Sequence, residues 1–70
     1  MKRTRVKSSL VVSIGYDPEK EILELEFTTG SIYRYEDVPK EEYRDLMKAK
    51  SIGAYVNHDI KEEYRYTRVR

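Results

Sequence analysis

The sequence predicts a small α+β domain: a three-stranded antiparallel meander followed by two short helices packed on one face, with a C-terminal segment that either adds an edge strand or trails as a tail. Three observations lead there. Residues 10–35 are strand-like and are broken by two turn signals, and residues 38–60 place apolar side chains at helical spacing. The two kinds of signal are segregated rather than alternating, which puts helices on one side of an antiparallel sheet. No repeat, linker or low-complexity stretch intervenes, so residues 1–70 read as a single domain with basic tails at 1–7 and 65–70. A chain of this length buries only about 60% of the surface its unfolded form exposes, so its core is small.

The first strand is the β-branched, apolar run Leu10-Val11-Val12-Ser13-Ile14-Gly15-Tyr16. Asp17-Pro18-Glu19-Lys20 then suits a type I turn, with Asp at its first position and Pro at its second. Ile22-Leu23-Glu24-Leu25-Glu26-Phe27 alternates, placing Leu23, Leu25 and Phe27 on one face and both glutamates on the other. Closing the hairpin between Tyr16 and Glu21 sets Ile14 opposite Leu23, Val12 opposite Leu25 and Leu10 opposite Phe27. Thr28-Thr29-Gly30 fits a three-residue hairpin loop, a type I turn followed by glycine in the left-handed conformation. That closure pairs Leu25 with Tyr33, Leu23 with Tyr35 and Glu24 with Arg34. A two-residue turn would instead oppose Tyr33 to Glu26 and Arg34 to Leu25, losing both the apolar match and the ion pair. The bulged register therefore turns both tyrosines toward the core and leaves Arg34 toward solvent.

Val38-Pro39-Lys40-Glu41-Glu42 reads as a helix start, with Pro39 at the first helical position and acids in the first turn. Tyr43, Leu46 and Met47 form its buried stripe. Ser51 caps a second helix, on which Ile52, Tyr55, Val56 and Ile60 share a face. Gly53 costs about 1 kcal/mol relative to alanine inside a helix, which points to a close approach to the sheet or the first helix. Asn57 is expected to cap or hydrogen-bond the neighbouring turn. Tyr64-Arg65-Tyr66-Thr67-Arg68-Val69 has strand-like composition.

The formal net charge is only +1, but its distribution is uneven. Lys2, Arg3, Arg5 and Lys7 at one end and Arg65, Arg68 and Arg70 at the other lie in segments without an acid. Residues 8–64 hold the other seven basic residues and all 13 acids, a formal charge of −6. Basic ends on an acidic body can reach phosphate while the body limits indiscriminate adhesion; the plainer reading is two solvated tails. There is no cysteine, so neither a disulfide framework nor a thiolate metal site reinforces the core. No apolar segment follows the basic N-terminus, and the longest uncharged run, residues 8–16, is too short to span a membrane. The expectation is a soluble, unprocessed cytoplasmic protein.

Catalytic chemistry finds little support. His58 is the only histidine, without a metal cluster or a nucleophile and base beside it. Ser51 is better used as a cap than joined to His58 and Asp59. Glu62 and Glu63 are adjacent and diverge on a helix end rather than forming a carboxylate pair, and Gly15 and Gly30 do not compose a phosphate loop. No cofactor is expected.

The chain resembles the KTSC domain, a small module found at the C-terminus of some lysyl-tRNA synthetases and alone in many bacterial and phage proteins. The resemblance rests on Val6 with Ser8-Ser9, Ile14-Gly15-Tyr16-Asp17, Leu23-x-Leu25-x-Phe27, Gly30 with Tyr33-x-Tyr35, Val38-Pro39, Ser51-x-Gly53-x-Tyr55-x-Asn57, and Ile60 with Tyr64. It covers nearly the whole chain. The sequence departs from the family pattern in having valine at position 56, where an aromatic is common. The family has no established activity and is suggested to bind RNA, so the resemblance implies a non-enzymatic RNA-binding accessory module.

Two sets of residues are candidates for that role. Tyr33 and Tyr35 offer rings for unpaired bases, and Arg34 offers a guanidinium for phosphate or base. Against this, the register places both rings opposite Leu25 and Leu23, and burial excludes stacking. Lys2, Arg3, Arg5, Lys7, Arg65, Arg68 and Arg70 are then the candidate phosphate-binding surface, and seven contacts to a single strand correspond to a log–log salt slope of about −5. The alternative is a protein-interaction module that docks a protein partner through exposed tyrosines or an unpaired sheet edge.

Overall fold

The computed structural model describes residues 1–70. Strands β1 (Arg3–Arg5), β2 (Val11–Asp17), β3 (Ile22–Phe27), β4 (Ile32–Tyr35) and β5 (Tyr66–Arg68) form one sheet in the order β1-β2-β3-β4-β5. Every pairing is antiparallel. Helices α1 (Lys40–Lys48) and α2 (Ile52–Tyr55) and a π-helical turn, Val56–Ile60, stand between β4 and β5. The α+β class holds, but the sheet has five strands rather than three. Both expected tails contain edge strands. Hydrophobic alternation could not reveal β1, because Arg3-Thr4-Arg5 has none; it pairs through its backbone with the otherwise open edge of β2.

The first hairpin closes two residues away from the expected register, with Tyr16 opposite Leu23 and Ile14 opposite Leu25. Asp17 remains in the strand, paired with Ile22, while its Oδ1 accepts hydrogen bonds from the Glu19 and Lys20 N–H groups at 3.0 and 3.3 Å. Glu21, at φ 54°, completes a four-residue loop, 18–21, of the expected length but one residue further along the chain. A two-residue displacement preserves the face each side chain occupies, so Ile14, Leu23 and Leu25 still share the inner face. A bulge between Val11 and Ser13 then changes the outcome at the far end: Val11, not Val12, faces inward opposite Phe27. Val12 lines the outer face near Arg3, Arg5 and Glu26. The second hairpin has the expected form. Gly30, at φ 94°, donates its N–H to Phe27 O at 2.9 Å, and β3 pairs Leu23 with Tyr35, Glu24 with Arg34 and Leu25 with Tyr33.

Pro39 is the N-cap of α1 rather than its first helical residue; its ψ of 153° is extended, and its carbonyl accepts from Glu42 and Tyr43 N–H. Ser51 caps α2, its Oγ accepting from Ala54 N–H at 3.2 Å. The second helix is not continuous: after one α turn, Lys61 N–H reaches back five residues to Val56 O at 2.9 Å. Gly53 approaches neither the sheet nor α1. A Cβ there would lie 3.4 Å from Leu10 Cβ and 3.5 Å from Ser8 Oγ, so the close neighbour is the segment leading into β2. Asn57 is exposed and makes no capping contact with the π turn.

Val11, Ile14, Leu23, Leu25, Phe27 and Tyr35 from the sheet meet Val38, Leu46, Val56 and Ile60 from the helical layer in one buried cluster. Each such side chain contributes roughly 1.5–3 kcal/mol of burial free energy. Tyr16 and Tyr43 close one end, their rings stacked at 4.7 Å and 7°, with the Tyr16 hydroxyl donating to Val38 O at 2.6 Å. The opposite face of the sheet has no helix against it. No helix is long and apolar enough to cross a membrane.

Candidate nucleic-acid interface

Directly opposed residues in antiparallel strands share a face, so the registers define two rows across the uncovered outer surface. One runs Arg3, Gly15, Glu24, Arg34, Thr67; the other runs Arg5, Ser13, Glu26, Ile32. Arg70 joins the second row through an ion pair with Glu26 at 3.6 Å. The face therefore carries four arginines against Glu24, Glu26 and, at its turn end, Asp17, whose carboxylate is occupied by turn amides. Residues 36–64, the helical layer and its connections, carry eight acids, Glu36, Asp37, Glu41, Glu42, Asp45, Asp59, Glu62 and Glu63, against Lys40, Arg44, Lys48, Lys50 and Lys61, a formal 5 − 8 = −3. What is an end-to-middle asymmetry in the sequence is a face-to-face asymmetry in the fold.

Glu24 organises the outer face. Only 3% exposed, it accepts from Arg34 Nε at 2.7 Å through one oxygen and from Arg3 through the other. Burial by itself pushes its carboxyl upward, but the hydrogen bonds and charges of Arg34 and Arg3 outweigh that and hold it below the usual carboxylate range. Arg3 also donates its Nε to Ser13 Oγ at 3.1 Å, and Ser13 Oγ donates to Glu26 at 2.7 Å. Arg3 reaches Glu24 by crossing β2 above Gly15. A Cβ at Gly15 would lie 2.9 Å from Arg3 Cγ and 3.1 Å from Lys2 O, so only glycine leaves the path open. The result is two guanidiniums clamped by one buried carboxylate, with side-chain exposures of 29% for Arg3 and 49% for Arg34.

The tyrosines belong to the other face. Tyr35 is fully buried, and burial, followed by the neighbouring Tyr33 and Tyr66, pushes its hydroxyl up to about 12. Tyr33 is half-buried, edge-on to Phe27 at 5.5 Å and stacked on Tyr66 at 5.1 Å and 8°. Tyr66, on the open edge strand, is 54% exposed.

The expected site residues are thus divided by the fold. Lys2, Arg3, Arg5 and Lys7 lie in or beside β1, and Arg65, Arg68 and Arg70 lie in or beside β5, at opposite sheet edges. Arg34 lies between them on the outer face, while Tyr33 and Tyr35 point to the helical side. Sequence reading missed the clamp around Glu24, whose signal was Gly15 in the row of an alternating acid. It also passed over Tyr66, although Tyr64-Arg65-Tyr66 repeats the Tyr33-Arg34-Tyr35 triplet.

The KTSC domain family model matches residues 7–64. The chain belongs to the KTSC domain family. A crystal structure of a KTSC domain protein from Yersinia pestis has the same fold, with a TM-score of 0.96 at 33% identity over 99% of this chain and 97% of that one. An uncharacterised protein of Stutzerimonas stutzeri is 49% identical over 70 residues, 99% of either chain. The KTSC domain also resembles part of a lysine–tRNA ligase from Nostoc sp., 37% identical over 60 residues, which is 86% of this chain but 11% of the ligase. Within this KTSC domain, Tyr16, Gly30, Tyr35, Ser51 and Tyr55, all marks of the resemblance, hold turns, caps and core contacts.

Proposed function

We propose that this KTSC domain is a non-catalytic nucleic-acid-binding accessory module that takes RNA through the outer face of its sheet. The observation that carries the reading is the pair of guanidiniums braced on buried Glu24 on an uncovered face. Arg34 uses Nε on Glu24, which leaves both Nη groups for a phosphate. Bracing by a buried carboxylate fixes the fork before binding, so less side-chain freedom is lost when phosphate arrives. The similarity to part of a lysine–tRNA ligase supports RNA over DNA. Arg3, Arg5, Arg34 and Arg70 supply about four phosphate contacts, corresponding to a salt slope of about −3 on a single strand rather than the about −5 that all seven terminal charges would give.

Fluorescence anisotropy with single-stranded RNA across a salt series tests the reading. The double variant Arg5→Ala/Arg70→Ala, which leaves the Glu24 clamp intact, should bind more weakly and with a slope reduced by about 1.4. Absence of binding by the wild-type chain at low salt would sink the proposal. The alternative, a protein-interaction module, draws on the exposed Tyr66 on an edge strand with no neighbour on its far side. It predicts partner capture that survives nuclease treatment, whereas the RNA reading predicts its loss.

A further inference from the structure

The outer face carries guanidiniums but no aromatic ring, so it can hold an RNA backbone without contacting the flat faces of bases. The aromatic side chains of the sheet lie on the inner face and run toward one edge. Tyr33 on β4 stacks on Tyr66 on β5 with ring centroids 5.1 Å apart and planes only 8° from parallel. Tyr35 also approaches Tyr66, at 5.6 Å and 45°. The centroid spacing is close to the separation of neighbouring strands, about 4.8 Å, so the stack advances one ring per strand. Beyond β5 there is no further strand. The stack therefore ends at Tyr66, which is 54% exposed to solvent.

We infer that Tyr66 is a stacking platform on which an unpaired nucleobase takes the next place in the Tyr33–Tyr66 stack, at the edge of the sheet. This deepens the nucleic-acid reading above and rests on it. Three features suit the position to a base. The Tyr66 ring is oriented before any ligand arrives, because Tyr33 packs against one of its faces. With Tyr33 and Tyr35 as its aromatic neighbours, Tyr66 is still 54% exposed, so much of its side chain is accessible to a ligand. Arg68, two residues along β5, lies on the same face opposite Tyr33, with its Nε bound to Arg70 O at 3.2 Å and its Nη groups available to the nucleotide's phosphate. Stacking is indifferent to base identity, so the platform selects single-stranded over paired nucleic acid rather than one sequence over another. A duplex hides its base faces and can use only the outer-face arginines.

The test compares binding of a single-stranded oligoadenylate and an RNA duplex of equal length, by anisotropy at one salt concentration, for wild type, Tyr66→Ala, Tyr66→Leu and Tyr66→Phe. Tyr66→Leu keeps apolar bulk over Tyr33 without a ring, so it separates stacking from local packing; thermal melts of each variant record whether the fold is retained. Expected is about a tenfold or greater loss of single-strand affinity for the Ala and Leu variants, near-wild-type affinity for Phe, and unchanged duplex binding in all. Wild-type single-strand affinity in Tyr66→Leu, with Arg5→Ala/Arg70→Ala still weakened, would overturn the platform and leave the nucleic-acid reading standing. Failure of the wild-type chain to bind either RNA would overturn both. Equal loss on single strand and duplex would also overturn the platform, because it would place Tyr66 in general support of the fold.

Discussion

At the scale of single residues, Glu24 and Gly15 illustrate how an outer-face position becomes a buried one. A glutamate alternating with leucines reads as a solvent-facing residue, yet Arg3 and Arg34 cover it from two strands. Gly15 makes that possible, since any side chain there would meet Arg3 and the Lys2 backbone. Glu24→Gln removes the charge that both guanidiniums share and should lower unfolding free energy by about 1–3 kcal/mol, measured by urea denaturation at neutral pH. The folded-state carboxyl lies below its ordinary 4.5. Its contribution is therefore fully present above that value and is lost as pH falls through the depressed folded-state value, so the gap between wild type and Glu24→Gln should close in acid. The Glu24–Arg34 pairing was legible because a three-residue loop with glycine dictates that register. Arg3 was not, since its partner depends on a strand without an apolar pattern.

At the scale of elements, the helical layer is held by a polar clasp as well as by its apolar stripe. Glu42 on α1 accepts from the Tyr64 hydroxyl at 2.7 Å through one oxygen and from the Tyr55 hydroxyl through the other. One carboxylate thus ties α1 to α2 and to the segment leading into β5. Burial first, then the hydrogen bond to Glu42 and its charge, push both tyrosine hydroxyls well above the ordinary phenol range. Tyr55→Phe should cost about 1.5–3 kcal/mol, the range for a hydrogen bond to a charged group, and Tyr55→Phe/Tyr64→Phe should depart from additivity when compared by chemical denaturation. Sequence spacing located α1, the Ser51 cap and the buried face of residues 52–60. It could not locate the clasp, whose members lie 13 and 22 residues apart. The first hairpin differs for a local reason: Asp17 uses its carboxylate to satisfy turn amides while remaining in the strand, which moves the four-residue loop one position along the chain and the pairing by two.

At the scale of the whole molecule, the chain sorts its charge by face and its tyrosines by depth. Four of the seven arginines gather on the outer sheet face, acids outnumber bases around the helices, and the rings run from buried Tyr35 through half-buried Tyr33 to exposed Tyr66. The buried end of that series sets an alkaline limit. Tyr35 is raised from 10.0 to about 12 in the folded state, so its protonated form favours folding. That stabilisation is fully present below 10.0 and is lost as pH rises through about 12. Thermal melts should show a falling midpoint across this interval, and Tyr35→Phe should flatten the fall.

The sequence by itself determined the α+β class, the central β3–β4 hairpin and its register, the Ser51 cap that starts the second helix, and the family. These follow from short-range chemistry: alternation, a left-handed glycine and side-chain caps act over a few residues and leave their mark in the chain. Only the tertiary structure decided that both basic ends are edge strands, that Glu24 is buried between two arginines, and that Tyr66 terminates a stack. Those outcomes depend on backbone pairing and on contacts between distant segments, where partners are chosen by the geometry of the completed sheet rather than by any local pattern.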